Sequence, residues 1–551
     1  MTAAPLDESL RDQVLEVARL TFGYAALRPG QLDAILSLLG GRDTLVVMPT
    51  GWGKSAVYQI AALLLDGPTV VVSPLISLQR DQVASLLGRV GTRAVSANSS
   101  QSRSHQAAAF DAVSSGSVEF LFLSPEQLAK RDVVDMLRAA KPSLFVVDEA
   151  HCVSAWGHDF RPDYLRLGAV IEQLGRPRVV ALTATASPPV RTEIIERLRL
   201  REPRSVVWGF DRPNLRLSVE SFRDEELKRE AVELRAASEA KPGIVYVATR
   251  KDAEAYAAEL LDLGLRAAPY HGGMRPPDRE DVQERFMTDQ LDVVVATTAF
   301  GMGIDKPNVR FVLHADVPDS VDTYYQEVGR SGRDGLPAEV VLFYRQEDFG
   351  LRKFFASGAP DEQALRKVMT LVRLHQEMAG PVSPDDLREA MHLSASRLTA
   401  LVNLLEQAGA LLETADGRLE PVGELDAVSA AREAMLLAEA HRRVERSRVE
   451  MMRGYADTQG CRRQYLLSYF GEHLAQPCGH CDTCTAGTAE AACPPEDSPY
   501  PLLSAVRHAE WGDGVVMRYE GDRIVVLFEE VGYRTLSLDA VALHGLISAV
   551  R

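Results

Sequence analysis

Between residues 44 and 182, short apolar runs recur at 44–48, 70–72, 120–123, 144–147 and 179–182, with amphipathic stretches between them. Continuous Val/Leu runs spaced by helical segments predict a parallel sheet covered on both faces. The pattern restarts beyond Trp208, with runs at 243–247, 292–296, 310–313 and 339–344. Two α/β domains are therefore expected in tandem, joined near 208–213.

After Tyr344 the β rhythm stops. Residues 385–391 and 396–407 read as two helices around the turn His392-Leu393-Ser394, and Leu398, Leu401, Val402 and Leu405 repeat at helical spacing. Segments 410–414 and 418–422 flank the turn dipeptide Asp416-Gly417 and read as a hairpin. That order fits a winged helix or an ordinary small helical packing domain. A charged helical stretch, 425–457, leads into a cysteine cluster, and 487–501, rich in Ala, Pro, Glu and Asp, reads as a linker. Residues 508–543 alternate in β fashion between Gly-containing turns and predict a small all-β barrel. The expected divisions are 1–208, 209–357, 358–424, 425–486, the linker 487–501, and 502–551.

A chain of 551 residues is long enough for several cores. The N-terminal stretch has no basic region followed by an apolar core, and no run reaches membrane-spanning length, so a cytoplasmic protein is expected. The net charge of −16 argues against a surface coated in basic residues; any nucleic-acid site must be confined to one face. Of the six cysteines, Cys152 and Cys493 stand alone, while Cys461, Cys478, Cys481 and Cys484 cluster. In a reducing compartment such a cluster reads as metal ligands before disulfides, and four thiolates suit a closed, structural Zn²⁺ site. His480 is a competing ligand, and Arg462 and Arg463 beside the cluster face either phosphate or solvent.

Two motifs carry nucleotide chemistry. Pro49-Thr50-Gly51-Trp52-Gly53-Lys54-Ser55 follows one apolar run and Asp148-Glu149-Ala150-His151 follows another. A Gly-rich turn lets backbone N–H groups reach phosphates, Lys54 neutralises them, and the Ser55 hydroxyl reaches Mg²⁺; an acidic residue ending a second buried strand holds the same ion. Met48 occupies the place of the pattern's first glycine. Upstream, Tyr24 and Arg28 offer an aromatic face and a planar guanidinium for adenine, and Gln31 a carboxamide for its edge. Downstream, Arg330 and Arg333 follow Gly329 three residues apart. That spacing puts both guanidiniums on one helical face, within reach of a γ-phosphate across a cleft. By charge, Glu149 orients the attacking water, Asp148 organises Mg²⁺, and Lys54, Arg330 and Arg333 stabilise phosphoryl oxygens of ATP.

With these residues in view, the chain resembles a superfamily II helicase of the RecQ family. The likeness is carried by Leu27-Arg28-Pro29-Gly30-Gln31, residues 50–55, Ser73-Pro74-Leu75, Asp148-Glu149-Ala150-His151, Leu182-Thr183-Ala184-Thr185-Ala186, 299–307 and 326–335; it covers residues 15–350 and resumes at the cysteines. Trp52 departs from the small residue usual at its position. The resemblance implies two tandem RecA-like domains, ATP-driven 3′→5′ movement on single-stranded and forked DNA, and a role in repair or recombination. It implies that Thr183 and Thr185, with His151, link ATP state to DNA grip, and that Asp305 joins the second domain's edge of the cleft. The stretch 154–164 resembles the family's aromatic-rich loop, so Trp156, His158, Phe160 and Arg161 are expected to sense single-stranded DNA by stacking and phosphate contact; Trp156 and Phe160 as core residues is the alternative. The chain leaves the family pattern at its C-terminus. The winged-helix-like segment precedes the zinc cysteines, its wing at 412–418 has no aromatic tip, and 508–528 resembles the Tudor-like module ending UvrD-type helicases, which contacts partners such as RNA polymerase. That last segment is either a partner module or a stabilising barrel. An RNA helicase and a DNA-binding ATPase switch are the rival readings.

Overall fold

The computed structural model describes residues 5–74, 76–90, 94–98, 101–154, 161–301, 304–355, 361–414, 417–489, 499–528 and 531–550. The expected DNA-contact residues Trp156, His158 and Phe160, the wing tip at 415–416 and most of the expected linker lie outside these residues. No helix among the described residues is long and apolar enough to cross a membrane.

The first domain is a parallel sheet of strands β1 (Thr44–Val47), β2 (Thr69–Val72), β3 (Ala94–Ala97), β4 (Phe120–Leu123), β5 (Leu144–Val147), β6 (Arg178–Thr183) and β7 (Arg204–Val207), in the order β3-β4-β2-β5-β6-β1-β7. Its central strands are buried along their whole length because helices cover both faces. The second domain repeats the design with β8 (Leu215–Ser221), β9 (Gly243–Tyr246), β10 (Ala267–Tyr270), β11 (Val293–Ala296), β12 (Phe311–His314) and β13 (Ala338–Tyr344), ordered β10-β11-β9-β12-β13-β8, again all parallel. Strands β3, β7, β8 and β10 lie outside the apolar runs. Ala-Val-Ser-Ala and Ala-Ala-Pro-Tyr are too short and weakly apolar, and β8 alternates buried and exposed residues at the sheet edge. Since every strand in each sheet points the same way, every loop following a strand emerges at one edge. This gathers the separated motifs at that edge.

The helix Glu362–Ala379, the helices Pro384–Met391 and Ala395–Gln407, and the hairpin β14 (Leu411–Glu413) with β15 (Leu419–Pro421) share one core that includes Leu365, Leu398, Leu405 and Leu419. The turn between the two shorter helices is set by local chemistry. His392 ends the first in the left-handed region (φ 54°), and the Ser394 hydroxyl accepts from Arg397 N to start the second. The helix Ala427–Asp457 serves two cores: Ala430, Ala431 and Ala434 pack into this one, while Met451, Met452 and Tyr455 pack with the zinc segment.

The C-terminal segment is an antiparallel sheet of β16 (Ala505–His508), β17 (Gly512–Glu520), β18 (Arg523–Phe528), β19 (Gly532–Ser537) and β20 (Ile547–Ala549), ordered β19-β18-β17-β16-β20. It departs from the expected all-β barrel in one element. Residues Leu538–His544 form a helix whose Val541 closes the sheet's own core. The opposite face is not free: Met517, Val525, Leu527 and Tyr533 join the core that contains the zinc segment.

Gly243 sits where β9 meets Phe311 of β12, and a Cβ there would lie 2.1 Å from the buried ring's Cζ. Gly243→Ala is therefore expected to lower the unfolding free energy of the second domain by about 1–3 kcal/mol, read from urea denaturation.

Candidate functional site

The turn after β1 needs glycine at two places. Gly51 and Gly53 adopt φ of 76° and 83°, and Gly53 caps the helix Lys54–Ala62, whose N-terminus carries unsatisfied N–H groups. Gln31 braces this turn from behind. Its Nε2 donates to Trp52 O (3.1 Å) and Gly53 O (2.9 Å), and its Oε1 accepts from Arg28 N (2.8 Å). Both Nε2 protons are thus taken by the turn, while Oε1 keeps a second lone pair. Arg28 donates to the Gly51 carbonyl and lies over the Trp52 ring, 5.4 Å from its centroid, so it pairs with the loop's own tryptophan and not with Tyr24, which stacks on Phe22. Lys54 Nζ donates to Met48 O at 3.2 Å. Burial lowers its pKa, and the carboxylates of Glu149 and Asp148 oppose that shift.

The acidic motif leaves β5 two strands from β1, and β6 between them carries Thr183. Asp148 is buried, and burial together with the adjacent Glu149 pushes its pKa up. Two carboxylates facing one lysine are short of positive charge, which a divalent cation would supply. Glu149 Oε2 lies 3.3 Å from His151 Nδ1, but that nitrogen is engaged by Thr183 Oγ1 at 2.9 Å, and Oε2 is buried with no hydrogen-bond partner among the described residues. Thr183 Oγ1 in turn donates to Thr185 O (3.0 Å), and Gln326 Nε2 of the second domain donates to Thr185 Oγ1 (3.4 Å). A chain of side chains so runs from the acidic motif across to the other domain. Gln326 opens the 326–335 motif, in which type and charge single out the arginines and only tertiary placement singles out the amide. Arg161 donates from Nη1 to Pro74 O (3.1 Å), tying the end of the 154–164 stretch to the loop after β2.

Arg330 and Arg333 are not on a helical face. The helix Val321–Val328 stops at Gly329, and Gly332 (φ 56°) turns the chain, held by Asn214 Nδ2 and Arg212 Nη2 donating to its carbonyl (2.8 and 2.9 Å). The turn sends the two guanidiniums to different places. Arg333 reaches the turn after β1, where a Cβ on Gly51 would lie 3.1 Å from its Cδ; its Nη1 donates to Asp305 Oδ1 (2.7 Å) and Ile304 O (2.8 Å), and its Nη2 is buried with no partner among the described residues. Burial and the neighbouring Arg330 push its pKa down to about 10. Arg330 lies farther back beside Gly301 and Tyr246, its Nε likewise buried with no partner among the described residues. Thr50 and Ser55 are half-buried on the turn and the helix start.

Cys461, Cys478, Cys481 and Cys484 place their Sγ atoms within 4.8 Å of one another. A tetrahedron with Zn–S near 2.3 Å has edges of about 3.8 Å, so the donor set fits zinc. Cys478 N and Cys481 N donate to Cys461 Sγ (3.2 Å) and Cys478 Sγ (3.4 Å), hydrogen bonds that favour thiolates. His480 is not a fifth candidate here: its Nε2 is 2.6 Å from Arg463 Nη2 and its Nδ1 2.9 Å from Cys478 O. Arg462 and Arg463 face neither phosphate nor solvent. Both are buried, Arg462 against Asp482 (3.0 Å) and Arg463 against Asp211 (3.3 Å) in the interdomain connection. Cys481→Ser is expected to reduce bound zinc from one per chain to near zero and to expose residues 461–485 to protease, read by elemental analysis and limited digestion.

Residues 28–193 match the DEAD/DEAH box helicase model, 225–335 the helicase conserved C-terminal domain, and 428–485 the RecQ zinc-binding segment. The ATP-dependent DNA helicase RecQ of Pasteurella multocida is 38% identical over 477 residues, covering 86% of this chain and 62% of that protein. The probable ATP-dependent DNA helicase RecS of Bacillus subtilis is 42% identical over 333 residues, covering 60% of this chain and 67% of that protein. The chain thus spans 62% and 65% of the length of the Pasteurella and Haemophilus influenzae RecQ proteins it matches. The Mycobacterium smegmatis helicase Lhr, solved with ssDNA and AMP-PNP, superposes with a TM-score of 0.51 over 92% of this chain and 69% of its own at 21% identity, a likeness of fold. Three family models in order along the chain, together with relatives of this identity, show that it belongs to the RecQ family of helicases.

Proposed function

We propose that the chain is an ATP-dependent DNA helicase or translocase of RecQ type, moving 3′→5′ on single-stranded and forked DNA in repair or recombination. The observation that carries this reading is a set of buried polar atoms with no hydrogen-bond partner among the described residues on both sides of the cleft: Glu149 Oε2 from one domain, and Arg333 Nη2 and Arg330 Nε from the other. Unpaired buried groups are costly, and a triphosphate with its attacking water is the ligand that suits an acceptor opposite two cations. In this reading the N–H groups around Gly51–Lys54 and the Lys54 ammonium hold the phosphates, and Arg333 stabilises the charge that develops on the transferred group. Glu149 orients the water. Mg²⁺, when bound, would neutralise the phosphates between Ser55 and Asp148.

Coupling to DNA follows from the side-chain chain His151–Thr183–Thr185–Gln326. Closing the cleft around ATP tightens contacts at Thr185, and Arg161 connects the aromatic-rich stretch 154–164 to the same edge of the sheet. Trp156, His158 and Phe160 are assigned to stacking on bases, Tyr24 to the adenine face and Asp305 to positioning Arg333. The domains are 1–208 and 209–357 for ATP hydrolysis, 358–424 a winged-helix-like unit, 425–486 the zinc unit and 502–551 the C-terminal β unit, with 487–501 linking them.

Lys54→Ala is expected to abolish hydrolysis with DNA binding retained. Arg333→Ala is expected to lower kcat by about 10³ with nucleotide binding largely kept, as for loss of an arginine finger; an active Lys54→Ala protein would remove the nucleotide assignment. On 3′-tailed, 5′-tailed, forked and blunt duplexes, the expected order is unwinding of the first and third only. Stimulation of hydrolysis by RNA and not by single-stranded DNA would place the chain among RNA helicases instead, and a rate independent of strand length would mark a switch.

A further inference from the structure

The helix Val321–Val328 ends at Gly329, and a helix end leaves its last carbonyls without intrahelical partners. Here one side chain from the connection between the two domains collects the carbonyls that follow. Arg212 Nη2 donates to Ser331 O (2.8 Å) and Gly332 O (2.9 Å), and its Nη1 donates to Gly329 O (3.4 Å). Asn214 Nδ2 adds bonds to Gly332 O (2.8 Å) and Leu336 O (2.9 Å), and a Cβ on Gly332 would lie 2.4 Å from that nitrogen. Three carbonyls of one tight turn thus converge on one guanidinium, a geometry that suits the rigid fork of arginine and not the compact ammonium of lysine. Arg333 follows Gly332 directly and leaves this turn toward Gly51.

The other end of Arg212 is fixed as well. Its carbonyl accepts from Arg463 Nη2 of the zinc segment (3.3 Å) and from Leu215 N at the start of β8 (3.1 Å), and the neighbouring Asp211 pairs with Arg463 Nε at 3.3 Å. Arg463 Nη2 also lies 2.6 Å from Nε2 of His480, which sits between Cys478 and Cys481. The main chain of Arg212 is therefore held from the zinc segment, while its guanidinium holds the turn that precedes Arg333. Through this one residue the turn is fastened to the interdomain connection and not to its own sheet alone.

We propose that Arg212 is a positioning residue for Arg333: it fastens the turn 329–332 to the interdomain connection and so sets the place from which the Arg333 guanidinium acts. The role rests on the assignment of Arg333 to the phosphates of ATP made above. A double-mutant cycle in the full-length chain tests it, read as single-turnover ATP hydrolysis with single-stranded DNA present. Arg212→Lys keeps the charge and loses the fork. It is expected to slow hydrolysis about 10- to 100-fold, the scale of a misplaced catalytic group, with Kd for a non-hydrolysable ATP analogue changed less than about threefold. In the Arg333→Ala background the same change is expected to cost less than about twofold, because Arg212 acts through a side chain that is already gone. Asn214→Ala, which removes one bond to Gly332 O, repeats the cycle should Arg212→Lys not fold, with an expected loss of about three- to tenfold. A loss that recurs in full in the Arg333→Ala background marks general damage to the domain and overturns the positioning role, as does an Arg212→Lys chain of wild-type rate beside an impaired Arg333→Ala chain. A fully active Arg333→Ala chain removes instead the assignment of Arg333 itself, and the role of Arg212 with it.

Discussion

The architecture turns on one contact, the Arg333 side chain laid against Gly51. The turn after β1 holds Gly51 in the left-handed region, and the second domain uses the space that a side chain there would fill. A Cβ at Gly51 would crowd both Arg333 Cδ and Cγ. The same glycine therefore serves the backbone conformation and the meeting of the domains. It also sets an electrostatic condition. Arg333 is buried next to another arginine, which lowers its pKa, while Asp148 is buried next to another carboxylate, which raises its own. Each side also holds the opposite sign, Lys54 beside Asp148 and Glu149 and Asp305 beside Arg333, an arrangement that suits a ligand with both negative phosphates and a bound cation.

Holding that cleft together falls to the zinc unit more than to either sheet. The connection between the domains passes under it: Phe210 stacks on Phe470 at 4.4 Å, Glu472 accepts from Phe210 N at 3.0 Å, and Arg463 pairs with Asp211. On its other side Asp482, between two of the cysteines, accepts from Val219 N of β8 at 2.9 Å and from Arg462. A closed tetracysteine site contributes to stability only by folding its own segment. Because that segment clasps the interdomain connection, the metal's folding energy is transmitted to the relative placement of two domains that contain none of its ligands.

The parts legible in the sequence were those encoded locally. Continuous apolar strands, the turn glycines at 51 and 53, the cysteine spacing and the caps around His392–Ser394 each have a short-range cause. Edge strands such as β8 and β10 escaped because half of each faces outward or carries proline, and Leu538–His544 was lost in a stretch of β alternation. The site shows the same division. Lys54, Asp148 and Glu149 are identifiable by type and spacing, but the partner of each depends on tertiary placement. The bonds of Gln31 to the loop carbonyls are set by tertiary placement, and Arg462 and Arg463, read as facing phosphate or solvent, are buried by Asp482 and Asp211. The turn at Gly332 that separates Arg330 from Arg333 is specified by Asn214 and Arg212, more than a hundred residues away in sequence.

The two C-terminal additions are attached by different physics, and that decides how each can move. The winged-helix-like unit has its own core and meets the first domain through Arg166, which pairs with Glu406 and approaches Glu413 at 3.9 Å. Partly exposed pairs of this kind are worth about 1 kcal/mol or less and weaken with salt. The β unit instead contributes Met517, Val525, Leu527 and Tyr533 to a core shared with the zinc segment and the first sheet. Each such side chain stabilises the contact by about 1.5–3 kcal/mol, so several together far exceed one ionic latch. The winged-helix-like unit is therefore held weakly to the first domain and is tied to the rest of the chain through the helix Ala427–Asp457, which serves both cores, whereas the β unit cannot leave without exposing a core it shares with the zinc segment.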